Sequence, residues 1–178
     1  RDYFRIVFGE KSAIACIYPE PFLPAEQNYL DTTRLFQEGG LPVAKIVEFD
    51  GTGGIIIQED FGDRILRDVL ESADARFRES LIDQAISLIA KIQAATKLAF
   101  EMNSVASRLK FDKEKLVWEL NFFREHYFES FLKRKPEPEI YGALNKEFDD
   151  LAARLEKRGN VLCHRDYHAA NLMVTSDD

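Results

Sequence analysis

The stretch VLCHRDYHAANLMV, residues 161–174, places a polar segment between two short apolar runs. Short apolar runs bounded by polar residues predict buried strands, so HRDYHAAN is expected to be a loop held between two strands. Asp166 and Asn171 lie in this loop, and His164 and Arg165 come directly before the aspartate. The four residues between the aspartate and the asparagine let the chain turn, so that both side chains can face one cleft. The alternative is a surface turn capped by Asp166 and His164.

Phosphoryl transfer needs the two kinds of side chain that this loop supplies. A carboxylate orients the attacking hydroxyl and accepts its proton, and oxygen ligands hold Mg²⁺ near the β- and γ-phosphates. Asp166 fits the first role because an aspartate is ionised at neutral pH. Asn171 fits the second role, and the spacing H-R-D-x-x-x-x-N occurs in phosphotransfer sites. The loop therefore predicts a phosphotransferase that uses Mg²⁺.

The chain before the loop changes from β-rich to helical character. Alternating aromatic and β-branched residues predict two hairpins, DYFRIVFG with AIACIYP and VAKIVEFD with IIIQED, and a helix that ends at a Gly-Gly pair lies between them. Amphipathic spacing then predicts three long helices, over residues 76–99, 111–133 and 136–160. The predicted fold class is α+β, with a β-rich lobe at 1–58, a hinge at 59–63 and a helical lobe at 64–178.

Composition argues against several classes of partner. The formal net charge is −7 over 178 residues. This disfavours binding to nucleic acid or to anionic membranes, since both need a basic face. No apolar run approaches the ~20 residues that a membrane-spanning helix needs. Cys16 and Cys163 lie among apolar residues and lack the spacing of metal ligands, which predicts reduced core thiols in a cytoplasmic protein.

The motifs together resemble the aminoglycoside phosphotransferase and choline kinase superfamily of small-molecule kinases. His168 matches the second histidine of that superfamily's H-x-D-x-H-x-x-N loop. The segments RDYFRI, GGLPVAKI, IIIQEDFGD and CHRDYHAANLMV are similar to a bacterial branch that includes anomeric kinases for N-acetylmuramate and N-acetylglucosamine. The resemblance implies a protein-kinase-like fold of two lobes, ATP and Mg²⁺ as cofactors, and an amino sugar as acceptor. Other acceptors (an aminoglycoside, choline or a fructosamine) and a nucleotide-binding pseudokinase remain alternatives.

The resemblance also implies roles for individual residues. Asp166 would be the catalytic carboxylate and Asn171 a Mg²⁺ ligand, while His164, Arg165 and His168 would order the loop. A connector with ATP-binding backbone groups would follow the small lobe, formed by Gln58, Glu59, Asp60 and Phe61. Asp63, just beyond it, would reach a ribose or sugar hydroxyl, or else be a solvated acid.

Three features depart from the family pattern. The small lobe's phosphate-binding lysine has no counterpart, because Cys16 or Ile17 stands where it is expected; Arg5 or Arg1 could replace it, since a guanidinium grips phosphate in a bidentate manner. No glycine-rich phosphate loop is visible. A second metal-binding aspartate is also missing, since Asp177 and Asp178 are too close to Asn171 and are predicted to form a turn. The chain is therefore expected to be truncated at both ends.

The acceptor site is predicted on the second long helix, which is rich in aromatic residues around Trp118. Glu119 and Phe123 are the candidate acceptor contacts, because aromatic rings pack on the CH faces of sugars and a carboxylate accepts hydrogen bonds from their hydroxyls. The alternative is a helix whose aromatic residues belong to the core.

Overall fold

The structure, a computed structural model, describes residues 1–175 of the chain and has an α+β kinase-like fold. Four strands form one antiparallel sheet in the order β1-β2-β4-β3. They are β1 (Asp2–Phe8), β2 (Lys11–Ile17), β3 (Ile46–Asp50) and β4 (Ile55–Glu59). Both hairpins and the α+β class predicted from the sequence are thus confirmed. The β1–β2 turn is tight because Gly9 adopts a φ of 64°, which glycine reaches at no steric cost.

The described residues form seven α-helices, and a π-helical segment follows the sixth. Their bounds are α1 (Asn28–Glu38), α2 (Leu66–Ser72), α3 (Ala75–Ala94), α4 (Thr96–Glu101), α5 (Val105–Arg108), α6 (Lys113–Arg124) and α7 (Pro138–Glu156). The helix predicted over 76–99 is therefore two helices, and the one predicted over 111–133 continues from α6 into a π-helix at Glu125–Phe131. The sequence analysis missed α2.

The largest apolar core joins α1 to the helices that follow the sheet. Its buried members are Leu35, Leu41, Ile92, Ala95, Ala99 and Leu162. The Asp31 carboxylate on α1 also accepts hydrogen bonds from the Ser104 hydroxyl (2.5 Å) and the Val105 N–H (2.9 Å), which caps the start of α5. Near its start, α1 is thus held to α5 by the hydrogen bonds of Asp31. Along its length it is held by apolar packing.

The chain divides into two compact units. Residues 1–108 and those from 162 onward form the first, and residues 109–161 form the second. The second unit consists of α6, the π-helix and α7. Within it, Asp112 caps α6 through the Lys115 N–H at 2.8 Å, and the guanidinium of Arg124, which is only 5% exposed, lies 4.0 Å from the Tyr141 ring centroid. The boundaries predicted at 58 and 63 are not tested by this division and stay a prediction.

Two expectations about the end of the chain are wrong. The apolar runs on either side of HRDYHAAN do not form strands: residues 160–163 are irregular, and the second run makes only an isolated bridge between Met173 and Ile65. The reason is that Leu162 is buried in the core of helices, and its N–H donates to the Thr96 hydroxyl instead of to a strand. Cys163 is exposed, whereas Cys16 is buried as expected.

Among residues 1–175, no helix is both long enough and apolar enough to span a bilayer.

The core around α1 gives a first testable prediction. Leu35→Ala removes a fully buried side chain (0% exposed) and should lower the free energy of unfolding by about 2–5 kcal/mol, measured by urea denaturation. Leu23→Ala is the control, because Leu23 is 64% exposed and its truncation should change the value by less than ~0.5 kcal/mol. Equal losses in the two variants would contradict the assignment of this core.

Candidate active site

The HRDYHAAN loop is anchored to the first unit at both ends. At its start, Leu162 is buried against α1 and α3 residues, and its N–H donates to Thr96 Oγ1 at 2.8 Å. At its end, the Leu66 N–H donates to the Leu172 carbonyl at 2.8 Å, and the Val174 N–H donates to the Arg64 carbonyl at 2.9 Å. These last two bonds pair the end of the loop with the chain that leaves the connector, so the two predicted parts of the site meet there.

The polar tip of the loop brings together Asp166, His168 and Asn171. Asn171 Nδ2 donates to Asp166 Oδ2 at 2.8 Å and to the Asp166 carbonyl at 3.0 Å. His168 Nδ1 accepts from the Ala170 N–H at 3.2 Å, so its proton resides on Nε2, which lies 3.2 Å from Asp166 Oδ1. Asn171 therefore donates to one carboxylate oxygen, and the His168 ring lies close to the other. The side chain of Asp166 is nevertheless 73% exposed, which leaves it accessible to a substrate.

His164 and Arg165 shape the chain before the aspartate. The His164 ring stacks near Phe36 of α1, with centroids 6.4 Å apart, and meets Tyr167 edge-on at 5.6 Å. Arg165 has a φ of 74°, a left-handed conformation that costs a non-glycine residue on the order of 1 kcal/mol. Such conformations persist only where surrounding contacts impose them, and they cluster at functional sites.

The loop supplies oxygen ligands suited to a hard cation, but few of them. The Asn171 amide turns its nitrogen to Asp166, so its Oδ1 is the atom that a cation would bind. Mg²⁺ usually binds one or two carboxylates and completes its shell with water and phosphate oxygens. Among residues 1–175 no group of three His, Cys, Asp or Glu side chains could hold a metal ion. The Asn171 oxygen and the Asp166 carboxylate therefore fit a metal that is bound mainly by a nucleotide.

The connector is fixed to β1 by an arginine between two carboxylates. Arg5 Nε and Nη2 lie 2.7 and 3.1 Å from the two oxygens of Asp60, and Nη2 lies 2.7 Å from Asp63 Oδ1. Asp60 also accepts a hydrogen bond from the Gly62 N–H at 2.9 Å. The structure thus brings the predicted residues Arg5, Asp60 and Asp63 together. Their charged groups pair with one another.

Hydrogen bonding sets the charge state of this cluster. The Arg5 guanidinium, then Ser12 and the Gly62 N–H, lower the pKa of Asp60 to about 2. The Asp63 and Asp60 carboxylates raise the pKa of Arg5 in turn. Asp60 and Arg5 therefore stay charged at neutral pH, each stabilised by the other.

A neutral trio occupies the place where the resemblance predicts a lysine. Cys16 is 1% exposed, and its thiol lies 3.6 Å from Gln58 Oε1, which also accepts from the Tyr29 hydroxyl of α1 at 2.5 Å. Burial raises the pKa of Tyr29 to about 12, so the phenol stays protonated. The Arg1 guanidinium donates to the Tyr18 hydroxyl at 2.9 Å and lies 5.3–5.7 Å from three tyrosine ring centroids, those of Tyr3, Tyr18 and Tyr29.

Of the remaining connector residues, Glu59 makes hydrogen bonds within the fold. The Glu59 N–H donates to the Lys45 carbonyl at 2.8 Å, and Glu59 Oε2 accepts from the Lys45 N–H at 3.2 Å. Phe61 follows Asp60 in an irregular segment that joins the sheet to α2. The backbone of Asp60 and Phe61 therefore lies at the bend of the connector.

The predicted acceptor residues lie in the second unit. Glu119 forms an ion pair with Lys115 at 3.1 Å, and the Lys115 ammonium lies 3.7 Å from the Trp118 ring centroid. Phe123 stacks on Tyr127 with centroids 5.3 Å apart, and Trp118, Phe122 and Phe123 are about half exposed. These aromatic residues are thus partly exposed along α6, and their part in an acceptor site stays a prediction.

Sequence reasoning missed three residues of this site. Tyr167 anchors the loop to α3, Tyr29 reaches β4 from α1, and Ser12 donates to Asp60. A partly buried aromatic residue next to a catalytic aspartate is a signal that could have identified Tyr167. Tyr29 and Ser12 depend on pairing across the fold, so they left no local pattern. Asp177 and Asp178, predicted as a turn, lie outside the described residues.

A kinase-like α+β fold with an HRDYHAAN loop defines the class as a phosphotransferase. The sequence profile of the phosphotransferase enzyme family known as APH matches residues 1–178, so the chain belongs to this family. The family resemblance inferred from the motifs is thereby confirmed.

Two curated relatives are similar to almost the whole chain. An N-acetylmuramate/N-acetylglucosamine kinase of Neisseria meningitidis serogroup B is 25% identical over 176 residues, which are 98% of this chain and 50% of that protein. The protein of the same name from Pseudomonas aeruginosa is 26% identical over 176 residues, covering 98% of this chain and 48% of the relative. The chain spans about half the length of the curated relatives it matches.

The Arg5–Asp60 pair gives a prediction on pH. Because the pKa of Asp60 is about 2 in the fold and about 3.9 in an unfolded chain, its carboxylate stabilises the fold fully above about pH 4 and loses this effect as the pH falls toward 2. Asp60→Asn should therefore lower the urea midpoint at neutral pH, and its difference from the wild type should shrink below about pH 4.

Asp68→Asn is the matched control, since Asp68 also pairs with an arginine, Arg67 at 2.7 Å, but both side chains are more than half exposed. Exposed pairs contribute little, so this variant should follow the wild type at every pH. A difference between Asp60→Asn and the wild type that stays constant from pH 7 to pH 3 would contradict the lowered pKa.

Proposed function

We propose that the protein is a small-molecule kinase that transfers the γ-phosphoryl group of ATP to a hydroxyl of an amino sugar. Membership in a phosphotransferase family supports the reaction class, and the names of the two relatives support the sugar. The observation that carries the proposal is the exposed Asp166 carboxylate, which accepts a hydrogen bond from Asn171 and has the His168 ring 3.2 Å from its other oxygen.

In the proposed reaction, Asp166 orients the acceptor hydroxyl and accepts its proton. The hydroxyl oxygen bonds to the γ-phosphorus as the bond from that phosphorus to the bridging oxygen of ADP breaks, and ADP leaves with the bridging electrons. Asn171 and His168 act by fixing the carboxylate, so little rearrangement is needed when the hydroxyl arrives. His164 and Arg165 hold the bend that presents it.

The nucleotide is proposed to bind at the connector and at the loop. Backbone groups of Asp60 and Phe61, next to Gln58 and Glu59 of β4, would bind the adenine edge. The contribution of Arg5 would be to hold this connector in place, because its guanidinium already binds Asp60 and Asp63. Asn171 would hold Mg²⁺, which would neutralise phosphate charge when bound.

The acceptor is proposed to be bound in part by the exposed aromatic face of α6. Phe123 would pack against the apolar face of a pyranose ring, and Glu119 would accept hydrogen bonds from its hydroxyls. Asp63 is the other candidate contact, since its side chain is largely exposed although it pairs with Arg5. These assignments rest on the chemistry of the side chains and on the relatives' names.

The reaction is tested by replacing the proposed base. Asp166→Asn keeps size and polarity but cannot accept the proton, so turnover should fall by at least ~100-fold while ATP affinity is retained. The measurement is phosphorus NMR of the full-length protein with Mg²⁺, ATP and either N-acetylmuramate or N-acetylglucosamine. A product resonance split by the anomeric proton would identify a 1-kinase.

Asp83→Asn, on the exposed surface of α3, is the control and should retain wild-type turnover. If the wild-type protein binds ATP and phosphorylates neither sugar nor an aminoglycoside, choline or fructosamine, the kinase proposal is wrong. A nucleotide-binding pseudokinase would then be favoured.

The acceptor surface can be tested without any turnover. Trp118 is the single tryptophan of the chain and lies 5.5 Å, centroid to centroid, from Phe122. Its fluorescence should therefore change when a sugar binds beside it, and titration gives the affinity. Phe123→Leu should weaken binding about tenfold, because the leucine keeps apolar area but loses the flat ring. Stacking contacts of this kind are worth on the order of 1 kcal/mol.

Phe100→Leu is the control, since Phe100 is also an exposed ring (62%, against 50% for Phe123) and lies outside the second unit. Equal affinities in Phe123→Leu and Phe100→Leu would exclude Phe123 from the acceptor site. The assignment of the acceptor site can thus be wrong even if the proposed phosphotransfer reaction is right.

A further inference from the structure

The catalytic loop runs along one face of α3. Leu162, at its start, lies in the same buried cluster as Ile92, and Val174, after its end, lies in the cluster that contains Leu81. Ile92 and Leu81 are eleven residues apart on α3, which is about 16 Å along a helix. The twelve residue-to-residue steps from Leu162 to Val174 could span ~40 Å if extended. The chain between the two ends is therefore much longer than the distance that it has to cover along α3.

Tyr167 anchors the middle of this segment to α3. Its hydroxyl donates to the Ala85 carbonyl at 2.6 Å, and its ring packs against the core that contains Ile92. Ala85 lies between Leu81 and Ile92 on the same helix, so the three anchors follow α3 in order. Burial raises the pKa of the Tyr167 phenol, so it stays protonated and donates this hydrogen bond at neutral pH.

The other contacts of the loop tip act on either side of this anchor. Asp166, His168, Ala170 and Asn171 contact one another, which fixes the shape of the tip, and Ala169 and Leu172 pack against the cluster that contains Leu66 and Leu81. Tyr167 is the residue next to Asp166 in the chain. A shift at Tyr167 is therefore transmitted directly to the carboxylate, and a displacement of ~1 Å at a catalytic group can cost about 100-fold in rate.

We propose that Tyr167 is a positioning residue, whose hydrogen bond to the Ala85 carbonyl sets the reach of the Asp166 carboxylate toward the acceptor hydroxyl. The inference rests on the phosphotransfer reaction proposed above for Asp166. It assigns to Tyr167 a larger effect on turnover than on nucleotide binding, because the adenine is proposed to bind at the connector, which is anchored elsewhere.

Tyr167→Phe in the full-length protein tests this assignment, since it removes only the hydroxyl and keeps the ring in the core. The expected result is a fall in kcat of ~10-fold or more, with a smaller change in the KM for ATP. Tyr141→Phe is the control, because its ring packs under Arg124 in the second unit and the change should leave kcat unaltered. A kcat equal to that of the wild type would overturn the proposal.

A double-mutant cycle separates positioning from general stability. If Tyr167 acts through Asp166, then Tyr167→Phe should cost no further activity in an Asp166→Asn background. A loss of the same factor in both backgrounds would indicate that the residue only supports the fold, and would refute the proposal.

Hydrogen–deuterium exchange of wild type and Tyr167→Phe gives a readout that does not depend on turnover. The amides of Ala170 and Asn171, which are bonded to His168, should exchange faster in the variant if the loop loses its middle anchor. Unchanged exchange would overturn the anchoring role. If the wild type phosphorylates no acceptor but the exchange still rises, the proposed function fails while the anchoring of the loop by Tyr167 stands.

Discussion

The short antiparallel pairing of residues 64–66 with residues 172–174 is the constraint on which the candidate site depends. The connector and the catalytic loop are about a hundred residues apart in the chain, and two backbone hydrogen bonds of 2.8 and 2.9 Å join the segments that follow them. Two such bonds stabilise by only ~1 kcal/mol each. Burial of Leu66 and Val174 with Leu81 of α3 adds the apolar contribution, at roughly 1.5–3 kcal/mol for each fully buried side chain.

Carboxylates in this site fall into two kinds, distinguished by their partners. Asp60 is bound by a guanidinium, which stabilises its anion and makes it a poor proton acceptor. Asp166 instead accepts a hydrogen bond from the Asn171 amide and has the His168 imidazole, and no guanidinium, in contact with its carboxylate among the contacts described above. The same side chain thus has a structural role at the connector and suits a chemical one in the loop.

The sequence was sufficient to predict the elements with local signals. Both hairpins follow from alternation and turn residues, and α6 begins where Asp112 predicts an N-cap. The polar cluster at Asp166 and Asn171 follows from the spacing of the motif. In each case the determining contacts are made within a few residues of the pattern that predicts them.

The features that could not be predicted depend on distant partners. A short apolar run such as residues 160–163 has the same composition whether it joins a sheet or packs on helices, and the buried site for Leu162 is formed by α1 and α3. The pairing of Arg5 with Asp60 joins residues 55 positions apart. An isolated arginine on a strand gives no indication of whether it will bind a phosphate or a carboxylate.

The contact between the sheet and α1 lies where the family resemblance predicts a positively charged lysine. This phosphate-binding lysine is expected near Cys16. In this chain the Tyr29 hydroxyl of α1 bonds to Gln58 beside the Cys16 thiol. Because the phenol stays protonated up to about pH 12, this contact keeps the same charge throughout the physiological range.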